Sequence, residues 1–245
     1  MRHKEISEAI FLIKQSIHNK SPLSLVRIGD GEINILKERG GSDDWNQKVI
    51  SLNETSTIEE AFSINKPFIE NAIAKADILG LLDPKSKYVS FNYDENLWSI
   101  SDEYILRFRT SMPMIVDHQI SRSRELGSVQ GMRDLLSGKA IHIISPNVDR
   151  LKERKISELL GSKVSFTDNS MSIKHYNRQP IIDSFKNIRE DIVLLGVGPH
   201  KDYCTILKEH GKIAIDLGAT LDAWAGLKTR GWFEKGNLQE YLFIE

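Results

Sequence analysis

The pattern that decides the fold lies in residues 191–224, whose sequence is DIVLLGVGPHKDYCTILKEHGKIAIDLGATLDAW. An apolar, β-branched run at 192–195 breaks at two glycines, and a helical pattern then covers 203–210. A second β-prone run follows at 213–217, which is apolar except for Asp216 and also ends at a glycine. Short apolar strands that alternate with helices are typical of βαβ units and of parallel sheets. The segment therefore predicts a Rossmann-like α/β domain.

The rest of the chain fits one α/β domain over residues 1–245, with a mostly parallel sheet flanked by helices. Apolar runs and periodic patterns predict strands at 23–28, 78–82, 140–144 and 163–166, and helices at 6–17 and 151–160. The middle of the chain, about residues 44–135, has a largely helical pattern. We expect a helical insertion or a lid in that part of the domain.

The composition is that of a globular protein without a basic excess. Lys and Arg number 33 and Asp and Glu number 34, for a net charge of −1. Nucleic-acid-binding proteins usually carry a basic excess, so we expect no nucleic-acid partner. The single cysteine, Cys204, excludes an intramolecular disulfide and is predicted to be a core side chain. Because no signal peptide and no stretch of ~20 apolar residues is recognisable, we expect a cytoplasmic protein without a transmembrane segment.

The turn IGDGE, residues 28–32, places two carboxylates directly after a predicted strand. In an extended segment, Asp30 and Glu32 would point to the same side, and we predict that they hold a divalent metal. Mg²⁺ and Mn²⁺ prefer such oxygen ligands, and Gly29 and Gly31 would let the backbone approach a phosphate closely. The alternative is a glycine-rich turn with solvated acids, one of which caps a helix that starts near Glu32.

Three more turns follow predicted strands, namely ISPN at 144–147, LGVGP at 195–199 and DLGATLD at 216–222. In a parallel sheet all four turns lie at one edge, where α/β proteins bind their ligands. Gly196 and Gly198 form either a partial phosphate-binding signature or only a tight turn. Asp216 and Asp222 are predicted to contact a ribose, a sugar hydroxyl or an acceptor, or else to cap a helix.

Two basic clusters are candidates for neutralising phosphate groups. The first is VDHQISRSRE, residues 116–125, and the second is SIKHYNR, residues 172–178. Their basic and aromatic members are His118, Arg122, Arg124, Lys174, His175, Tyr176 and Arg178. Arginine binds phosphate oxygens in bidentate geometry, although a solvated surface is the alternative. The sequence has no histidine spacing of a zinc hydrolase, no G-x-S-x-G motif and no Walker A motif.

The run RIGDGE, residues 27–32, resembles the signature of the GT-D type glycosyltransferases, a family first catalogued as a domain of unknown function. The stretches ADILGLLD, AIHIIS, DIVLLGVGP and KIAIDLGATLDAW follow in the order expected for that family, so the resemblance spans about residues 20–226. It implies a Rossmann-like catalytic domain that uses a nucleotide-diphosphate sugar. It also implies that Asp30 and Glu32 hold Mn²⁺ or Mg²⁺.

This resemblance makes a metal-dependent glycosyltransferase the leading hypothesis, with a UDP-sugar as donor and a glycan or glycoprotein as acceptor. The residues predicted to bind the nucleotide sugar are Arg27, Gly29, Gly31, Gly196, Gly198 and His175. Arg27 is out of phase with the two carboxylates along a strand, so the alternative is that it pairs with another carboxylate.

The predicted chemistry needs a metal that stabilises the leaving diphosphate and, in an inverting enzyme, a base for the acceptor hydroxyl. Glu32, Asp216 and Asp222 are the candidates for that catalytic base. After IDLG the chain has Ala219 and Thr220, where members of the family more often have histidine. The two other hypotheses are a non-catalytic nucleotide-binding module and a methyltransferase.

Overall fold

The seven strands in the described residues form one parallel sheet. A computed structural model of the chain describes residues 3–83, 99–170 and 178–227. In chain order the strands are β1 (Leu23–Ile28), β2 (Ile78–Leu81), β3 (Met114–Asp117), β4 (Ala140–Ser145), β5 (Lys163–Asp168), β6 (Ile192–Leu195) and β7 (Ile213–Asp216). Their order across the sheet is β3-β2-β1-β7-β6-β4-β5, and every neighbouring pair is parallel. The predicted Rossmann-like α/β fold is therefore confirmed.

Helices cover both faces of the sheet, which is the usual arrangement for an entirely parallel sheet. The α-helices in the described residues are α1 (Ile6–Asn19), α2 (Asp30–Leu36), α3 (Asp43–Asn53), α4 (Ile58–Lys75), α5 (Asp102–Leu106), α6 (Arg124–Gly127), α7 (Val129–Leu136), α8 (Val148–Glu153), α9 (Ile156–Leu160), α10 (Arg178–Ser184), α11 (Asp202–Glu209) and α12 (Ala219–Trp224). Two short 3₁₀ helices span His118–Arg122 and Phe185–Asn187.

Two hydrophobic cores lie on opposite faces of the sheet, because successive strand residues point to opposite sides. Ile215 belongs to the core that also contains side chains of α1, α7, α9 and α12. Its neighbour Ala214 belongs to the core built with α2, α4 and α11. Strands β1 and β7 are buried at every position, so any charged group on them is also held in the interior.

The predicted helix at 151–160 is two helices, α8 and α9, in the structure. Lys155 lies between them with φ 51° and ψ 42°, a left-handed conformation that interrupts the regular hydrogen bonding of a helix. Gly161 has φ 61° and caps the end of α9, as the glycine at that position predicted. The sequence pattern therefore located the helical segment but not the break inside it.

The described part of the segment 44–135 is mostly helical, as expected, and it also supplies β2 and β3. Because β2 pairs with β1 and β3 pairs with β2, this segment forms one end of the sheet. The sequence reading did not predict β3, whose four residues, MIVD, are half-buried at both ends and too few to show a period. The assignment of residues 1–245 to a single domain stays a prediction.

The four predicted turns lie at one edge of the sheet, because all the strands run in the same direction. Strands β1, β7 and β6 are neighbours in the middle of the sheet. The turns IGDGE, DLGATLD and LGVGP, which follow these strands, are therefore adjacent. We call this edge, beyond the C-terminal ends of the strands, the carboxyl edge.

Candidate functional site at the carboxyl edge

Helix α2 begins at Asp30, directly after β1 and the N-cap residue Gly29. Asp30 and Glu32 are thus the first and third residues of a helix, and the prediction that they belong to an extended run was wrong. Residues two apart on a helix are separated by about 200° around its axis. The spacing alone therefore does not direct both carboxylates at one cation.

The side chain of Glu32 folds back over the start of α2. The backbone N–H of Gly29 donates a hydrogen bond of 2.8 Å to Glu32 Oε2. The other oxygen, Oε1, lies 3.5 Å from Lys201 Nζ. The first contact is the glutamate half of a capping box, so the alternative in which one acid caps the helix holds for Glu32. Asp30, in contrast, is exposed at the carboxyl edge.

Lys201 links Glu32 to Asp216 in the interior. Its Nζ lies 2.8 Å from Asp216 Oδ2, and its side chain is only 5% exposed. Burial lowers the pKa of Lys201, but the attraction of Asp216 and Glu32 outweighs burial, and the pKa is raised. Burial likewise raises the pKa of Asp216, but Lys201 and Arg27 outweigh it, and the pKa lies below its ordinary value. Both groups are therefore charged at neutral pH.

Arg27 on β1 is bound to the end of β7. Its Nε donates a 2.9 Å hydrogen bond to the carbonyl oxygen of Asp216, and its backbone N–H donates one of 3.2 Å to Asp216 Oδ2. Its Nη1 donates to Ser121 Oγ at 2.5 Å. Arg27 is buried, so the expectation that it pairs with another carboxylate describes the structure better than direct contact with a nucleotide sugar.

His118 brings the end of β3 to the turn that precedes α2. A Cβ atom added to Gly29 would lie 2.8 Å from His118 Nε2 and 3.2 Å from Glu32 Oε2. Gly29 is therefore required for the close approach of the imidazole to the turn. The sequence had indicated His118 only as part of a basic cluster, because the strand that places it was not predicted.

The glycines of LGVGP differ in their surroundings. A Cβ atom on Gly196 would lie 3.2 Å from Leu221 Cδ1, and its N–H donates to the carbonyl of Ile144 at 2.9 Å. Gly196 therefore allows close packing inside the fold. Gly198 has φ 57° and no heavy atom within 4 Å of an added Cβ, so the described structure leaves open space beside it. Helix α11 begins only at Asp202, so the turn does not lead directly into a helix N-terminus.

Asp222 on α12 is bound to the turn ISPN, because Asn147 Nδ2 donates a 2.8 Å hydrogen bond to Asp222 Oδ1. The carboxylate is half-buried at the carboxyl edge. Thr220 on the same helix is buried, and its Oγ1 donates to the carbonyl of Ser121 at 2.9 Å. Thr220 thus anchors α12 to the 3₁₀ helix His118–Arg122.

The second basic cluster is described only in part. His175, with its neighbours at 171–177, lies outside the described residues, so its role in binding a nucleotide sugar stays a prediction. Arg178 pairs with Asp202 through both guanidinium Nη atoms and stacks 3.7 Å from the ring centre of Phe68. Burial raises the pKa of Asp202, and Arg178 opposes that effect. Arg178 is therefore engaged in the fold.

The arginines of the first cluster have different surroundings. Arg122 is half-buried and ends the 3₁₀ helix that His118 begins. Arg124 is exposed and lines a surface cavity together with Lys14 of α1 and Asp134 of α7. The use of these arginines to neutralise a phosphate stays a prediction.

A divalent ion fits the carboxyl edge only if a ligand completes its coordination. Within residues 3–83, 99–170 and 178–227, no group of three or more His, Cys, Asp or Glu side chains could hold a metal. Mg²⁺ commonly takes one or two carboxylates and fills its other positions with phosphate oxygens and water. The exposed Asp30 can supply one such carboxylate. Both oxygens of Glu32, in contrast, are engaged by Gly29 and Lys201.

Lys201 is the residue of this site that sequence reasoning missed. It follows the turn LGVGP and belongs to no motif. Its partners Glu32 and Asp216 are far away in the sequence, and only the order β1-β7-β6 brings them together. The one available signal was Glu32 at the third position of a helix, which is the glutamate of a capping box.

A parallel α/β sheet with charged turns at its carboxyl edge is the architecture of proteins that bind nucleotides and related ligands. The family model of the GT-D fold-like domain matches residues 4–224, and the chain belongs to this family. Neither the search of curated proteins nor the search of solved structures found a match. No helix in the described parts of the chain is long and apolar enough to cross a membrane, and a cytoplasmic location stays a prediction.

Proposed function

We propose that the protein is a glycosyltransferase that transfers a sugar from a nucleotide-diphosphate sugar, specifically a UDP-sugar, to a glycan or glycoprotein. Membership of the GT-D fold-like family supports the class of reaction. The observation that carries the proposal is the carboxyl edge, where the exposed Asp30, the imidazole of His118 and the open turn at Gly198 follow buried parallel strands. Nucleotides bind at this edge in open α/β sheets.

For the donor diphosphate we propose a position against the turn that begins α2. Gly31 has no side chain that would keep a phosphate from the backbone there. Gly29 does not offer the same approach, because His118 and Glu32 fill the space beside it and Glu32 accepts its N–H. Asp30 is proposed to hold Mn²⁺ or Mg²⁺, together with phosphate oxygens and water. The bound metal would supply a Lewis acid that stabilises the negative charge of the leaving diphosphate. Arg27 would act indirectly, because its guanidinium holds the ends of β7 and the 3₁₀ helix.

Asp222 is proposed as the base that accepts the proton of the acceptor hydroxyl in an inverting reaction. Among the three candidates, Asp216 is fully buried and paired with Lys201, which keeps it from contact with an acceptor. Glu32 is engaged by Gly29 and Lys201. Asp222 is half-buried at the carboxyl edge, and the amide of Asn147 orients its carboxylate.

Thermal unfolding with a panel of nucleotide sugars, measured with and without Mn²⁺, tests donor binding. A ligand present at about 100 times its dissociation constant adds about 2.7 kcal/mol of stability, which raises the melting temperature measurably. We expect a Mn²⁺-dependent rise for a UDP-sugar and its loss in Asp30→Asn. The matched control is Asp134→Asn, an exposed acid on α7 that lines the cavity beside Arg124 and not the proposed donor site, and it should respond as the wild type does.

Donor hydrolysis and sugar transfer, measured on the same proteins, separate the competing functions. Release of UDP that depends on Mn²⁺ and is reduced in Asp222→Asn would support the proposal. Nucleotide binding without hydrolysis or transfer across a broad panel would identify a non-catalytic binding module. If no nucleotide sugar changes the melting temperature of the wild type, the proposed donor site is wrong.

A further inference from the structure

The contacts of Glu32 show how the two acidic residues of the GDGE turn differ. Glu32 Oε2 accepts the N–H of Gly29 at 2.8 Å, and Oε1 lies 3.5 Å from Lys201 Nζ. Its side chain is 16% exposed, so most of it is removed from solvent. Asp30, two residues earlier, is exposed. The pair thus consists of one inward carboxylate and one outward carboxylate.

The charges around Lys201 explain why the carboxylate of Glu32 points into the protein and not into solvent. Arg27, Glu32, Lys201 and Asp216 contribute two positive and two negative charges, so this buried cluster is neutral as a whole. A buried charge is costly unless it is paired. If Glu32 turned outward, the cluster would keep two cations and one anion in the interior.

The same geometry makes coordination of a metal by Glu32 unfavourable. A divalent cation bound to Glu32 Oε1 would approach the ammonium of Lys201, and the two positive charges would repel each other. A cation on Oε2 would compete with the N–H of Gly29 for the same oxygen. Neither difficulty applies to Asp30, which is exposed to solvent.

We propose that Lys201 is a positioning residue that holds Glu32 against Gly29 and out of the coordination of the metal, so that Asp30 is the carboxylate of the turn that meets the cation. This inference rests on the proposed function, because the cation is the one expected with the donor diphosphate. It assigns different roles to two residues that the sequence motif treats as equivalent ligands, and it adds Lys201 to the site.

The first experiment compares Asp30→Asn with Glu32→Gln. Mn²⁺ affinity is measured in the presence of UDP from the electron paramagnetic resonance signal of free Mn²⁺, and the melting temperature is measured without metal. We expect Asp30→Asn to weaken Mn²⁺ binding by about tenfold or more and to leave the metal-free melting temperature unchanged. Glu32→Gln should lower that melting temperature and keep an Mn²⁺ affinity close to that of the wild type. If Glu32→Gln weakens Mn²⁺ binding as much as Asp30→Asn does, the inference is overturned.

The second experiment removes the ammonium. In Lys201→Met, Glu32 is no longer held, so we expect it to become available to the cation and the Mn²⁺ affinity to rise several-fold. The double variant Lys201→Met/Glu32→Gln should lose that gain. A merely structural lysine would lower stability without increasing Mn²⁺ affinity, and that result would contradict the proposal. Lys201→Gln, whose amide can still bond to Asp216, replaces Lys201→Met if the latter does not fold.

The two proposals fail in different ways. If the wild type binds no Mn²⁺ with UDP or with any nucleotide sugar, the proposed function is wrong, and the inference about the metal falls with it. If the wild type binds Mn²⁺ with UDP and both Asp30→Asn and Glu32→Gln weaken that binding equally, the proposed function stands and only the division of roles is wrong.

Discussion

The buried charges of the carboxyl edge show how side chains that are distant in sequence come to depend on each other. Arg27 and Lys201 each contact Asp216, although the three residues lie on or beside three different strands. Because their charges are buried, removal of one member would leave an uncompensated charge in the interior, at a cost of about 3–5 kcal/mol. The turns at this edge are therefore held in fixed relative positions by electrostatics as well as by the sheet.

Cys204 gives a direct test of burial at a single side chain. The residue is fully buried on α11, and burial raises the pKa of its thiol well above the ordinary value. Because the thiolate is the reactive form, we expect no reaction with a thiol-specific reagent in the native protein. Unfolding in urea should expose one reactive thiol per chain. Rapid stoichiometric labelling of the native protein would contradict both the burial and the prediction that Cys204 is a core side chain.

Individual site residues were predictable from the sequence only where a local rule applied. The pairing of Arg27 with another carboxylate was only the alternative to a nucleotide-sugar contact, and its argument assumed a strand that in the structure ends before the helix at Asp30. The orientation of Glu32 was missed, because a turn with two glycines suggested an extended segment. Lys201 had no local signal, since its partners are defined by the order of strands and not by spacing.

The turn between β7 and α12 depends on Gly218. This residue has φ 52° and ψ −128°, a conformation that essentially only glycine adopts. A Cβ atom there would lie 2.0 Å from Arg27 Nη2. We therefore expect Gly218→Ala to displace Arg27 from Asp216 and Ser121. The expected loss in the free energy of unfolding is about 3 kcal/mol or more, from backbone strain together with the broken ion pair.

Gly211→Ala is the matched control for Gly218→Ala, and urea unfolding is the measurement for both. Gly211 has φ 79° at the end of α11, and an added Cβ would have no heavy atom within 4 Å. Its substitution should therefore cost only the backbone strain of about 1–2 kcal/mol. Equal losses in the two variants would show that the contact with Arg27 has no influence on the stability of the turn.

The accuracy with which strands and helices were predicted follows from their local patterns. Strands β6 and β7 were located to within a residue, because each begins with an apolar, β-prone run that follows a charged residue and is soon followed by a glycine. Strand β3 was missed because Met114 and Asp117 at its ends are half-buried and leave only two core positions. The break at Lys155 was missed because lysine does not indicate a left-handed conformation.

The order of the strands was the part of the fold that local patterns could not supply. The sequence predicted a parallel sheet from alternating strands and helices, and that prediction is confirmed. Strand β7 lies between β1 and β6, and both hydrophobic cores over these strands combine residues from distant parts of the chain. Local sequence patterns carry no information about such contacts. This placement creates the buried charge cluster. The contacts within the cluster could therefore not be predicted without the order of the strands.

The stability of the entire chain should depend on pH through His142 on β4. Its Nδ1 lies 2.5 Å from Ser165 Oγ and its Nε2 lies 2.9 Å from Thr167 Oγ1, so the ring joins β4 to the edge strand β5. Burial lowers the pKa of His142 below 6.5, although Glu190 opposes the effect. The folded protein thus binds this proton less readily than the unfolded chain does. The stabilisation is complete above the unfolded pKa and is lost as the pH falls through the lower, folded pKa.

Urea unfolding between about pH 5 and 8 measures this dependence in the wild type and in His142→Gln. The glutamine is uncharged throughout, and the other titrating groups are common to both proteins, so the difference between the two curves reports on His142. We expect the free energy of unfolding to fall more steeply with acidification in the wild type than in the variant. Parallel curves would mean that His142 takes up its proton equally in the folded and unfolded states. The hydrogen bonds across β4 and β5 would then impose no preference for the neutral ring.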